Sequence, residues 1–430
     1  MSLFILNPVY RKPVSVAIGI LIVLAFLFNS IHVFNIKKRY GTPDLRNRIV
    51  GSRLIKQKEH VSPYFYKWSK ADGDRFLDMY DTPELLMNRN TVTPFTLQVL
   101  EFVCDTTYSK LVKRWYIAEI ISLLATVVLI LSLARKSPNK ILILGVSLIG
   151  IGLSQGWMLH SLSGQVYIFI PLLLSLVLYF SQLQTKGNYI LAAVVLTVLV
   201  LIRPTAVLFI APYVLISNWK VPAYLFLFLA IYFLFSYKTG QLWLWKDYSN
   251  AMNLWSVESF NPHVTKSYME ILQLKEIEGS AILSQPPNLS LLEDSSIQGF
   301  LHRFFNIQLT KIPLLGLMLC LFIAFLFFLR KEIKQFDMRR LFILAFLLYF
   351  LSELCIPAVR NSYNSVQWVF PLSILFLDKH ISNSIKLLLL LAVTFAIGIM
   401  KFFPFDLFIA ELLFFLSCAI YLKNSKVENA

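Results

Sequence analysis

The 430-residue sequence predicts an all-α polytopic membrane protein with about 12 transmembrane helices, in a range of 10–13. Three observations carry that reading. Hydrophobic residues make up 57% of the chain and its mean hydropathy is +0.65, whereas a soluble globular chain is about 45–50% apolar. The excess is arranged in long runs. The gaps between the runs are short and rich in Lys and Arg, the pattern that sets membrane topology.

Taken in order, the apolar runs are roughly 14–36, 115–134, 141–159, 165–182, 188–202, 204–217, 221–237, 312–329, 341–357, 366–377, 385–400 and 404–422. Several are short for a crossing that needs about 20 residues. The first run has no small-residue cleavage site, which predicts a retained span rather than a signal peptide. Arg11 and Lys12, Arg135, Lys136 and Lys140, Lys186, Lys220, Arg330, Lys331, Lys334, Arg339 and Arg340, Lys379 and Lys386, and Lys423 and Lys426 all fall on one side if both termini are cytoplasmic. The other side then receives two large extracytoplasmic loops, about 37–114 and about 238–311, with short interfacial helices, and four brief connections. The whole chain, 1–430, reads as a single integral membrane domain.

The net charge of +16 invites a nucleic-acid partner, but many basic residues lie between apolar runs, so no nucleic acid is expected. Four cysteines in this setting form no disulfide framework and no paired metal motif. His263 and His302 lack metal-ligand spacing. Asp72 and Asp74 in "DGD", with Asp78 and Asp81 nearby, read as a solvated acidic turn, with a divalent metal as the alternative; no cofactor and no metal site is assigned. Glu119, Glu353 and Glu411 lie within or near spans, each close enough to an end to snorkel. No internal repeat of the transporter kind is visible by eye.

The first loop opens on "GTPDLRNRIVGSRL" (41–54). Thr42 suits a helix cap, Pro43 the first helical position and Asp44 the positive end of the helix dipole. At about 100° per residue, Asp44, Asn47, Arg48 and Gly51 share one face, with Arg46 and Arg53 on the opposite one. Acid, amide, guanidinium and glycine on one face suit a site lining, the glycine leaving room. Equally, Asp44 and Arg48 form an i,i+4 pair that pins a helix start.

The order of these features resembles the GT-C superfamily of membrane glycosyltransferases, and within it glycosyltransferase family 87, whose members include polyprenol-phosphate-mannose-dependent mannosyltransferases. The residues that carry the resemblance are "DLRNRIVGSRL" after the first span, "SPYFYKW" and "NRNTVTP", the pair Gly164–Gln165 opening a span, "LIRPTAVLF" (201–209) and "RNSYNSVQW" (360–368). The resemblance implies a GT-C-like fold in a bacterial inner membrane, with an extracytoplasmic site. There a sugar on a polyprenyl phosphate passes to a glycan or glycolipid acceptor. By position Asp44 is the base, and Arg203 takes the place of a basic residue at the lipid phosphate. The chemistry agrees: a sugar hydroxyl needs a positioned carboxylate, and a departing phosphate needs cationic donors of the guanidinium type. Arg360, Arg48, Arg53 and Arg89 are further phosphate candidates. Gln165, Asn47, Tyr64, Tyr363 and Gln367 are candidates for the sugar, with Tyr66 and Trp68 nearer to interface packing. The rival from another class is a lipid or oligosaccharide transporter.

Overall fold

The computed structural model describes residues 8–40, 42–57, 61–65, 90–133, 140–258, 295–307, 309–355, 360–378, 381–397 and 406–424. Among them the ordered elements are helices, with no strand. The first half holds α1 (Pro8–Tyr40), α2 (Pro43–Lys56), α3 (Pro94–Glu101), α4 (Tyr108–Ser132), α5 (Lys140–Gly145), α6 (Gln155–Ser163), α7 (Phe169–Leu183) and α8 (Lys186–Ile202). After a 3-10 segment at Pro204–Ile210 come α9 (Ala211–Leu215), α10 (Lys220–Lys238), α11 (Trp243–Glu258), α12 (Ile297–Phe305) and α13 (Lys311–Phe328). The last part holds α14 (Met338–Cys355), a 3-10 segment at Ser362–Trp368, α15 (Val369–Leu377), α16 (Asn383–Ile397) and α17 (Asp406–Asn424). The segment Arg89 and the aspartates from Asp72 to Asp81 lie outside the described residues, as do Tyr66, Trp68 and His263.

Among the described residues the apolar runs fall mainly on helix, but helix length supports fewer crossings than about 12. Among the described residues, four helices are long and apolar enough to cross a membrane: Pro13–Lys37, Tyr108–Ser132, Lys220–Lys238 and Leu407–Asn424. A fifth candidate is broken. Lys140–Ile151 and Gln155–Ser163 meet at 59°, because the first ends in a π-helical turn and Ser154 then caps a new helix by accepting from Trp157 N. Phe169–Leu183, Lys186–Ile202, Pro204–Leu215, Ile312–Phe328 and Asn383–Ala396 are shorter apolar helices.

The centre of the bundle is α14, whose residues from Leu341 to Cys355 are all buried, and α15, buried along its whole length. A helix apolar all round belongs in such a core. Helices farther out, such as α10 and α13, leave Phe226, Leu234, Phe235, Leu319 and Phe327 exposed, as a lipid-facing surface would.

The connections sort into groups. At one end Arg339 donates to Leu133 O, Arg340 lies 3.8 Å from Asp378, and Lys423 pairs with Glu332 at 2.8 Å. These are the Lys- and Arg-rich connections. Lys37, Asp44, Gln165, Arg203, Glu353, Arg360 and Glu411 belong to other groups of contacts, described below.

Helix α2 is clamped onto one of those groups. Thr42 does not cap α2 with its side chain, contrary to the sequence expectation. It sits at φ 44°, bonded instead to the α4 entrance: its hydroxyl meets Tyr108 OH at 2.6 Å, and Tyr108 OH donates to Thr42 O at 2.8 Å. Gly164 ends α6 at φ +73°, and a Cβ there would sit 2.6 Å from Leu45 Cβ of α2. Gly51 also serves packing rather than a ligand: a Cβ would meet Asn90 Nδ2 at 2.6 Å and Pro63 at 3.3 Å.

Gly164→Ala meets both a left-handed backbone and a steric clash, so it should lower stability by about 1–3 kcal/mol. Gly187→Ala, with nothing within 4 Å of the new methyl, should be neutral or slightly stabilising. Thermal unfolding of the two purified variants in detergent checks the pair; equal midpoints would contradict the packing account.

Candidate active site

Helix α2 brings Asp44 and Arg48 to the C-terminal end of α6, as the helical phase predicts. Arg48 is buried and donates to Gly164 O and to Gln165 Oε1, the latter at 2.6 Å. Gln165 Nε2 in turn donates to Asp44 Oδ2. The amide thus bridges acid and guanidinium, with its oxygen toward the cation and its nitrogen toward the carboxylate. Only that orientation satisfies both neighbours. Burial pushes the Arg48 pKa down from its ordinary value and Asp44 pushes it back up; a guanidinium remains charged in this setting. Asp44 itself is half-buried.

Beyond Gln165 the backbone presents Tyr167, whose ring stacks on Tyr363 with centroids 5.5 Å apart. The Arg203 guanidinium lies 5.5 Å from the other ring centroid, that of Tyr167. Arg48, Gln165, Tyr167 and Arg203 line one small cleft of about 20 Å³, together with Val92, Ile170 and Ile202. Both arginines of this lining come from segments the sequence had placed on one side of the membrane. Thr93 Oγ1, donating to Leu201 O at 2.6 Å, ties the first loop to the wall that carries Arg203.

Behind Arg203 stands a row of alternating charges. Arg203 Nε lies 3.0 Å from both carboxylate oxygens of Glu353, and its Nη2 donates to the same group. Thr205 Oγ1 donates to Glu353 Oε1 at 2.6 Å. Arg360 Nη1 lies 4.0 Å from Glu353, and Arg360 Nε donates to Glu411 Oε1 at 2.7 Å. The Arg203 side chain is 24% exposed and Glu353 2%, so the arginine is the member that reaches the cleft.

A second buried group stands under α6. Lys37 Nζ pairs with Glu119 Oε2 at 3.0 Å, and both side chains are fully buried. His160 Nδ1 is 3.9 Å from Glu119 Oε1, while Ile168 N donates to His160 Nε2 at 3.2 Å. Because Nε2 accepts, the ring is neutral with its proton on Nδ1, toward the glutamate. His160 O also accepts from Gly164 N and Gln165 N, both at 3.0 Å. One histidine therefore holds both ends of the turn that displays Gln165 and Tyr167.

Several expectations need correction. The three membrane glutamates do not snorkel: the side chains of Glu119, Glu353 and Glu411 are at most 2% exposed and each is paired with a cation. Arg360 is enclosed between two carboxylates and does not line the cleft. Arg53 turns the other way, its Nε donating to Cys104 O at 3.0 Å. Tyr64 is a packing residue: its hydroxyl donates to Val92 O at 3.0 Å and its ring packs on Tyr248. Gln367 is buried with Oε1 accepting from Tyr349 OH at 2.8 Å, while its Nε2 has no protein partner. Asn47 is 3% exposed and neither side-chain amide atom finds a hydrogen-bond partner among the described residues; such burial is unfavourable unless something else meets the group. Sequence reasoning missed His160 and Tyr167. The signal for Tyr167 was its place two residues beyond Gln165. Among the described residues no group of three or more His, Cys, Asp or Glu side chains has a geometry suited to a metal ion.

Across the two groups the charges named above balance: Lys37, Arg48, Arg203 and Arg360 against Asp44, Glu119, Glu353 and Glu411. Lys37→Met or Glu119→Gln alone should cost about 3–5 kcal/mol, because each leaves a buried charge or donor set unmatched, while the double replacement Lys37→Met with Glu119→Leu should recover most of that loss. Thermal unfolding of the three variants decides it, and additive losses would refute the buried-pair account. No family model, no curated protein and no solved structure matches this chain.

Proposed function

We propose that this protein is an integral membrane glycosyltransferase of GT-C type. It moves a sugar from a polyprenyl-phosphate donor to an extracytoplasmic glycan or glycolipid, with Asp44 as the base. The observation that supports this reading best is one meeting point. Arg48, Gln165, Tyr167 and Arg203 line one small cleft, with the half-buried Asp44 carboxylate held by Gln165 and Tyr363 stacked on Tyr167, so that four separate stretches of sequence meet there.

Each part has a task. Asp44 accepts the acceptor hydroxyl proton. Arg203, with Arg48 across the cleft, offers charge-assisted donors to the phosphate oxygens as negative charge develops on the leaving group. The Tyr167 ring, which lines the cleft and is backed by Tyr363, suits the apolar side of a sugar ring. Membrane lipid supplies the surroundings in which polyprenyl tails partition. The separation of the basic connections from this cleft supports a bacterial inner-membrane topology with cytoplasmic termini and an outer site.

One observation favours the transporter reading. The break between Ile151 and Gln155, with ion pairs inside the bundle, is a feature transporters use at their binding sites. Asp44→Asn separates the two. In membranes supplied with candidate polyprenyl-phosphate sugars, the transferase reading expects a loss of about 100-fold or more in transfer, with unfolding temperature unchanged. Transfer near the wild-type rate, or lipid translocation that survives the substitution, sinks the assignment of Asp44 as base.

A further inference from the structure

We infer that Glu353 is a positioning residue for Arg203, an inference that rests on the transferase reading above. Glu353 takes the Nε and Nη2 edge of the guanidinium with both carboxylate oxygens. Nη1 takes no part in that clamp, and the side chain, 24% exposed, lines the cleft. A long arginine otherwise samples many rotamers; here one edge is fixed before any ligand arrives.

The clamp is built from one turn. Arg203 and Thr205, two residues apart in "RPT", both donate to the same carboxylate. Pro204 stands between them and opens the 3-10 segment. The carboxylate is itself fixed from behind, because Arg360 approaches it at 4.0 Å and Glu411 holds Arg360 at 2.7 Å. Tyr167 closes the ring face of the guanidinium. Glu353, at 2% exposure, does not line the cleft, whereas Arg203, which it holds, does, so its effect on a ligand passes through Arg203.

A residue of this kind acts on the transition state more than on binding. The departing phosphate gains negative charge as the sugar bond breaks, and a preset donor is worth most at that moment. Misaiming Arg203 therefore lowers kcat more than it raises KM.

The test uses the full chain in nanodiscs, comparing wild type with Arg203→Ala, Glu353→Gln, Glu353→Asp and Thr205→Val. Two readouts are taken: steady-state transfer from the polyprenyl-phosphate sugar that the wild type uses, and affinity for farnesyl phosphate as a donor-headgroup probe. Arg203→Ala should lose about tenfold or more in probe affinity and at least about 100-fold in kcat. Glu353→Gln should lower kcat by about 30-fold or more with donor KM within about threefold, and Glu353→Asp should restore part of that loss. Thr205→Val keeps the ion pair and removes one hydrogen bond, so it should shift kcat the same way by about 3- to 10-fold. If Glu353→Gln does not fold, Thr205→Val decides, and an unchanged kcat there overturns the inference. Should Arg203→Ala be inactive while Glu353→Gln and Thr205→Val turn over normally, the positioning role fails alone. Full transfer and full probe affinity in Arg203→Ala overturn the donor-site reading together with it.

Discussion

A carboxylate near the end of a helix that is buried on every side must be compensated by protein, and the arrangement of this site follows from that requirement. Glu353 closes α14, whose faces are all covered by other helices. Water cannot reach it, so its charge persists only beside cations that the fold delivers. Arg203 comes from the end of α8 and Arg360 from the stretch before the 3-10 segment at Ser362–Trp368. Their convergence on one carboxylate ties three distant parts of the chain together. It also places the partly exposed Arg203 at the cleft.

The other side of the cleft rests on a steric condition. Glycine at position 164 lets α6 end in a left-handed residue and lets α2 approach to van der Waals contact through Leu45. That close approach puts Arg48 within reach of Gly164 O and Gln165, and Gln165 within reach of Asp44. His160 then fixes the far end of the same turn through Ile168 N, while its own proton faces the buried Lys37–Glu119 pair. Backbone freedom at one residue and charge pairing beneath it thus set the geometry of the first wall. The Glu353 cluster sets that of the second.

Much of this was legible beforehand, for identifiable reasons. Helical phase is a local property, so the shared face of Asp44, Asn47 and Arg48 could be read directly. Loop charge is local too, so the basic connections could be picked out. What could not be read was the direction of long side chains toward partners far along the chain. Arg53 and Arg48 are alike in sequence, yet one meets Cys104 O and the other a cleft. Arg203 and Arg360 are alike in their placement at helix ends, yet one lines the cleft and the other is enclosed. Thr42 looked like a cap because threonine often caps; the nearby Tyr108 hydroxyl won the competition for its side chain. Gly51 looked like room for a ligand, and Asn90 occupies it.

The sequence by itself determined the class of molecule: a helical chain whose apolar runs have the composition of membrane spans, joined by basic connections. Those properties depend on composition and period, which need no knowledge of neighbours. Tertiary structure alone decided which charges face one another and which remain open to a ligand. A buried charge takes its role from its nearest counter-charge, and for Glu353 those counter-charges lie 150 and 7 residues away along the chain.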